Sequence, residues 1–167
     1  QTGDFELAPE AYYERCRLKT AGLFSASCGL GALLSGCSGE TIAAMDEFGL
    51  HLGLAFQIAD DILDFAGDAG AIGKRAGADL RDGTVTLPLL MAMERDGSLR
   101  GRLGGKLTDE AIAEICRRVQ ASGALDEARQ EAFEQVSHAG AALEASGGEV
   151  DIAPLALIAE MAADRQV

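Results

Sequence analysis

Apolar residues recur along this chain at spacings of three and four, the period of an α-helix, and no stretch shows the alternation of a strand. The pattern predicts a first helix over residues 9–35. Tyr12, Cys16, Leu23 and Phe24 fall near helical spacing there, and Pro9 suits a first turn, where a missing N–H costs nothing. Gly29, Gly31 and Gly36 loosen its end and admit a neighbouring helix. A second long helix covers residues 40–66. It is apolar nearly all round from Leu50 to Phe65, so it is expected at the centre of the fold. Gly49 and Gly53, four apart, offer one face for close packing, and Gly67 stops the helix. Gly67, Gly70, Gly73, Gly77 and Gly83 then mark a loop long enough to be functional.

Beyond the loop, Thr86 as cap and Pro88 in the first turn open a helix to about Arg95. Residues 96–107 read as an exposed, Gly- and basic-rich connection. Thr108, with Asp109 and Glu110 at the positive end, starts a helix to about Ser122. Another amphipathic helix spans residues 125–145. Gly147 and Gly148 break it, and Asp151 caps a last helix containing Pro154, Leu157, Ile158 and Met161. No internal repeat is visible. The fold class is all-α.

One helix carries charges where its pattern demands apolar residues. Asp60, Asp61 and Asp64 sit among Ile58, Ala59, Ile62, Leu63 and Phe65. Carboxylates in such surroundings are costly unless paired. Asp60 and Asp64 share a helix face, as Asp61 and Asp64 nearly do, so the cluster repels itself. A hard divalent cation removes that cost. Magnesium takes oxygen ligands, usually one or two carboxylates, and completes its octahedron with water and phosphate oxygens. The plainer reading, a charged solvated face, fits poorly with the apolar neighbours. Gln57 lies three and four residues before Asp60 and Asp61 and turns the same way; alone it reads equally as a satisfied core amide. Phe56 reads first as a core aromatic that can line a pocket. Lys19-Thr20 on the first helix and Lys74 in the loop supply point charges suited to phosphate.

The balance of 14 basic against 27 acidic residues, a net charge of −13, argues against nucleic acid or an anionic membrane surface as partner. With 48% hydrophobic residues in 167, the chain can bury a core. No apolar run of about 18 residues is present, so stable membrane insertion is not expected. Cys16, Cys28, Cys37 and Cys116 lack paired spacing and read as reduced thiols rather than a zinc site. His51 and His138 show no partner pattern and read as structural or surface residues.

The run from Gly49 to Asp64 closely resembles the second aspartate-rich motif of the trans-isoprenyl diphosphate synthases, the polyprenyl synthetase family. Lys19-Thr20 is similar to that family's Lys-Thr pair. The run through Gly73-Lys74, Asp79-Leu80, Gly83 and Thr86-Leu87-Pro88 is similar to its glycine loop and the helix start after it. Motifs in this order and spacing are far more specific than one aspartate-rich cluster. The resemblance implies the carboxy-terminal half of an isoprenoid-synthase-type helical bundle with a central cavity. Residues 1–167 are then part of a single domain whose amino-terminal half is absent. The start at Gln1 and the single aspartate-rich cluster, where the family uses two, agree with that.

The implied enzyme is a prenyltransferase that condenses an allylic diphosphate with isopentenyl diphosphate, head to tail, after Mg2+-dependent ionisation. Its product is geranylgeranyl diphosphate or longer, and this piece alone is expected to be inactive. By the same resemblance Asp60, Asp61 and Asp64 are metal ligands, and with Lys19 they form the catalytic set. Lys19, Thr20, Phe56, Gln57 and Lys74 bind substrate. Arg75 and Arg81 are expected in solvent or surface pairs, and Asp79 as a holder of the loop. Where the family often has a second lysine after the loop's last glycine, this chain has Thr84, one positive charge fewer. A homodimer in the cytoplasm is the family expectation. Two alternatives stand: a terpene cyclase-like enzyme, and a noncatalytic helical subunit of a heteromeric synthase. The cyclase class carries an Asn/Asp…Ser…Glu triad on its later helix, and the intact acid motif weighs against a degenerate subunit.

Overall fold

The helical periods become helices close to where the pattern puts them. The computed structural model describes residues 8–66, 76–103 and 107–164. Helix α1 (Pro9–Cys16) runs through a turn of π-helix (Arg17–Ala21) into α2 (Gly22–Leu34), and α3 (Gly39–Ala66) follows. Then come α4 (Ala78–Arg81), α5 (Leu87–Arg95), a 3₁₀ stretch (Gly97–Arg102), α6 (Asp109–Ala121), α7 (Ala124–Glu144) and α8 (Ile152–Ala163). No strand occurs among the described residues, and none of their helices is long and apolar enough to cross a membrane. The chain divides into two units, one built on residues 13–59 and 130–166, the other on residues 1–12 and 60–129.

In the first unit a core forms from Ala32, Met45, Phe48, Leu52, Ala139, Ala142, Leu143 and Ala159. The glycines of α3 bring its backbone against α2. A Cβ on Gly49 would sit 2.5 Å from the Phe24 carbonyl oxygen, and one on Gly53 would sit 2.5 Å from the Ala21 Cα. Only glycine permits that crossing. Gly29 is less constrained, because a Cβ there would meet only the carboxylate of exposed Asp46, a side chain that can swing aside. Gly31 and Gly36 face open space, so the expectation that they too admit a helix is corrected; Gly36, at φ +78°, instead turns the chain out of α2. His51 is structural: its Nδ1 lies 2.8 Å from Gln135 Oε1, and its ring centroid lies 5.1 Å from that of His138. Glu149 closes the turn before α3 by accepting from the Ser38 N–H at 2.9 Å and the Thr41 hydroxyl at 2.5 Å.

In the second unit Phe65, Leu89, Leu99, Leu103, Ile115 and Val119 are fully buried. Burial of each such side chain is worth about 1.5–3 kcal/mol. Two expectations change here. The stretch 96–107 is not simply an exposed connection, because Leu99 and Leu103 anchor it in the core, Asp96 caps its 3₁₀ turn through Ser98, and Arg118 pairs with Asp96. Thr86 occupies the position before α5 but makes no capping bond. Its hydroxyl is buried without a hydrogen-bond partner, and the helix start rests on Pro88 in its first turn. Thr108 and Asp151 cap α6 and α8 as expected, accepting from Ala111 N–H at 3.3 Å and Ala153 N–H at 3.3 Å. None of the four cysteines is in a disulfide.

Two outcomes follow from this packing. Gly49→Ala destabilises by about 1–3 kcal/mol through overpacking, whereas Gly31→Ala, in open space on a helix, is neutral or stabilising by up to about 1 kcal/mol. Urea unfolding of the two variants checks this, and equal effects would contradict the close crossing. The hydrogen bonds from Thr41 and Ser38 hold the Glu149 carboxyl below its usual 4.5. A depressed folded-state value contributes stability above the unfolded value and loses it as pH falls through the folded one. The melting-temperature gap between the native chain and Glu149→Gln should therefore be widest at neutral pH and close as acid protonates the folded-state carboxyl; a pH-independent gap would refute the assignment.

Candidate active site

The acid end of α3 belongs to the second unit, and its three carboxylates meet three different environments. Asp60 faces outward and is exposed. Asp61 is only 3% exposed, and its Oδ2 accepts a 2.8 Å hydrogen bond from the hydroxyl of Tyr12, itself fully buried on α1. Asp64 is half-buried and holds the start of α4. The Gly77 N–H donates to the Asp64 backbone oxygen at 3.0 Å. The Ala78 N–H donates to Oδ1 at 2.9 Å and the Asp79 N–H to Oδ2 at 3.2 Å. Three successive amides thus close on one residue. Gly77 makes this possible: it sits at φ +79°, and a Cβ there would lie 2.5 Å from Ile112 Cγ2. The last turn of α3 is tied down further by Gln120, whose Nε2 donates to the Phe65 carbonyl at 2.6 Å.

The loop was expected to be without regular structure, and its described part corrects this, since residues 78–81 form the one-turn helix α4. Asp79 was expected to hold the loop; its backbone does so, through the bond to Asp64 and through its carbonyl, which accepts from the Thr84 N–H at 2.8 Å. Arg81 makes the expected surface pair, with Asp109 at 3.2 Å. Lys74 and Arg75 lie outside the described residues. The thiol of Cys116 is pushed up to about 11, first by burial and then by the nearby Asp64 charge, so it stays protonated at neutral pH.

The remaining sequence-selected residues lie in the first unit. Lys19 and Thr20 fall within the π turn, where the Gly22 N–H reaches back to the Arg17 carbonyl. Such single turns widen a helix by one residue and are frequent at functional sites. Here the turn leaves Lys19 exposed and half-buries Thr20. The Thr20 hydroxyl donates to Gln57 Oε1 at 2.8 Å, fixing the buried amide. Phe56 is half-buried, its ring 5.7 Å from that of Phe24.

The acids suit a hard cation in donor chemistry. Among the described residues no set of three or more Asp, Glu, His or Cys side chains is arranged to hold a metal by itself. Magnesium does not need such a cage, because one or two carboxylates suffice when water and phosphate fill the rest. Each Asp64 oxygen accepts one N–H, and a carboxylate offers about four acceptor sites, so the cap and a cation can share it. Tyr12 is the residue that sequence reasoning missed. It was visible only as one apolar position on a helix face, 49 residues from the acid it serves.

Asp64→Ala should loosen α4 by about 1 kcal/mol, the usual value of a lost cap. Amide exchange at Ala78 and Asp79 should accelerate in that variant and not in Asp60→Ala; unchanged exchange in both would contradict the clamp.

Comparison with known proteins places the chain in a family. A model of the family described as polyprenyl synthetase matches residues 1–120. A prenyl transferase of Porphyra purpurea is 36% identical over 137 residues, covering 81% of this chain and 42% of its own length. The octaprenyl diphosphate synthase of Escherichia coli (strain K12) is 34% identical over 146 residues, covering 84% of this chain and 45% of its own. The polyprenyl synthase of Caulobacter crescentus CB15, solved as a complex with calcium and isoprenyl diphosphate, superposes with a TM-score of 0.82 at 32% identity over 99% of this chain and 52% of its own. The chain therefore spans about half the length of the relatives it matches. With a matching family model over most of its length and the family's helical fold, the chain belongs to the polyprenyl synthetase family.

Proposed function

We propose that the protein to which this chain belongs is a trans-prenyltransferase that extends an allylic diphosphate with isopentenyl diphosphate, to a product of geranylgeranyl length or longer. The observation that carries this reading is the acid end of α3, where Asp60, Asp61 and Asp64 stand in the family's motif, with the Tyr12 hydroxyl on Asp61 and two backbone amides on the Asp64 carboxylate. The names of the relatives, synthases and transferases of prenyl chains, support it over a terpene cyclase or a noncatalytic subunit. A homodimer in the cytoplasm is proposed on the same family footing.

In this reading Asp60 and Asp64, on one helix face, hold a divalent cation, Mg2+, with Asp61 beside them. Bound there with the diphosphate, the cation supplies charge neutralisation of the leaving group. Lys19 adds an ammonium to the allylic diphosphate, and Lys74 adds a second from the loop. Thr20 keeps Gln57 in one orientation, so that its amide presents a fixed dipole where charge develops. Phe56, paired with Phe24, adds an apolar face to substrate binding, and apolar surroundings keep water from an allylic cation. No side-chain nucleophile enters the reaction: diphosphate departs to leave an allylic cation, the isopentenyl double bond attacks its C1, and a proton is then lost to the released diphosphate. Thr84, standing where relatives often carry a lysine, leaves the site with one charge fewer.

Mg2+-dependent binding of inorganic diphosphate to this chain, followed by calorimetry, tests the reading. Asp60→Ala and Asp64→Ala should each weaken binding at least about tenfold, and Lys19→Ala by about tenfold or more, the size of a lost charge-assisted hydrogen bond. Diphosphate binding indifferent to Mg2+, or absent from the native chain, would contradict it.

A further inference from the structure

We infer that Tyr12 is a positioning residue for the cation site: its hydroxyl holds the Asp61 carboxylate in one orientation toward that site. The inference rests on the reading of the acids as cation ligands. A carboxylate that is 3% exposed has given up most of its water, and leaving it without a donor costs several kcal/mol. The 2.8 Å bond from the Tyr12 hydroxyl offsets that cost. Tyr12 is itself fully buried, so surrounding side chains hold its ring in place. The two residues are 49 apart in sequence, so tertiary packing sets the bond rather than local helix geometry.

The choice of donor matters. An arginine or lysine at this point would also satisfy the acid, but it would cancel the charge a cation needs. A phenol donates one proton and stays neutral, so this bond steers Asp61 without adding a positive charge beside it. Asp64 is treated in the same way, by two uncharged N–H groups. Partners that orient metal ligands in this manner are worth about 10–100-fold in metal affinity when removed.

The test is a Mn2+ titration of this chain, in the presence of inorganic diphosphate, read by electron paramagnetic resonance. The native chain, Tyr12→Phe, Asp61→Asn and the double variant are compared. Tyr12→Phe keeps the ring and removes only the donor. It should weaken Mn2+ binding about tenfold, and in the Asp61→Asn background it should have little further effect, because there is no carboxylate left to orient. A loss of the same size in both backgrounds would mark Tyr12 as merely structural and overturn the inference. So would Mn2+ affinity unchanged by Tyr12→Phe alone; either result leaves the acids' role standing. A native chain that fails to bind Mn2+ would sink the reading of the acids and the inference together. A second measurement avoids any loss of folding. With 3-fluorotyrosine at position 12, the 19F resonance should shift on adding Mg2+ and diphosphate to the native chain and stay still in Asp61→Asn. A resonance that responds alike in both chains would overturn the inference.

Discussion

A carboxylate buried in an apolar helix needs a donor, and this requirement organises the acid end of the chain. Asp61 is nearly inaccessible to water, and Tyr12 answers it with a hydroxyl from a helix far away in sequence. Once Asp61 is held, its neighbours follow from helix geometry. Asp60 turns outward and Asp64 turns toward the amides of Gly77, Ala78 and Asp79. Without those partners, three like charges within two turns would repel one another in a medium that screens them poorly.

Elsewhere in the chain acids are matched by arginines, as in the Arg118–Asp96, Arg95–Glu127 and Arg81–Asp109 pairs. Those pairs neutralise charge and hold segments together. At the acid end of α3 the Tyr12 hydroxyl donates to Asp61 and the Ala78 and Asp79 amides donate to Asp64, and these donors are polar and uncharged. Such donors suit the cation and diphosphate site proposed above. The π turn at Lys19 and Thr20 is a second local irregularity with the same flavour. A regular helix would leave those side chains in another register, and the extra residue per turn sets Thr20 onto Gln57.

The sequence was legible wherever a repeating pattern carried the information. The span of α3 and the starts of α6 and α8 followed from apolar period and cap residues, and the close crossing at Gly49 and Gly53 followed from their spacing. Family membership was legible because several motifs stand in order. What escaped was set by tertiary contact or by single residues. Nothing local distinguishes Tyr12 from any aromatic on a core-facing stripe. The π turn leaves no mark on a 3.6-residue period. Helix α4 depends on acceptors supplied by Asp64, fourteen residues upstream, rather than on its own four residues. Leu99 and Leu103 sit in a glycine- and arginine-rich stretch whose composition argues for exposure, and only the packing of the surrounding helices draws them in. Thr86 has the identity of a cap residue and the position of one, yet its hydroxyl is buried away from the helix amides.

The central claim is that the acids of α3, steered by neutral donors, hold a divalent cation together with a diphosphate. Anomalous X-ray scattering from crystals grown with Mn2+ and inorganic diphosphate tests it most directly. The account predicts a manganese peak within ligand distance of Asp60 and Asp64, with diphosphate oxygens beside it and the Tyr12–Asp61 bond intact. Manganese and diphosphate ordered elsewhere on the chain, with these carboxylates unliganded, would contradict it.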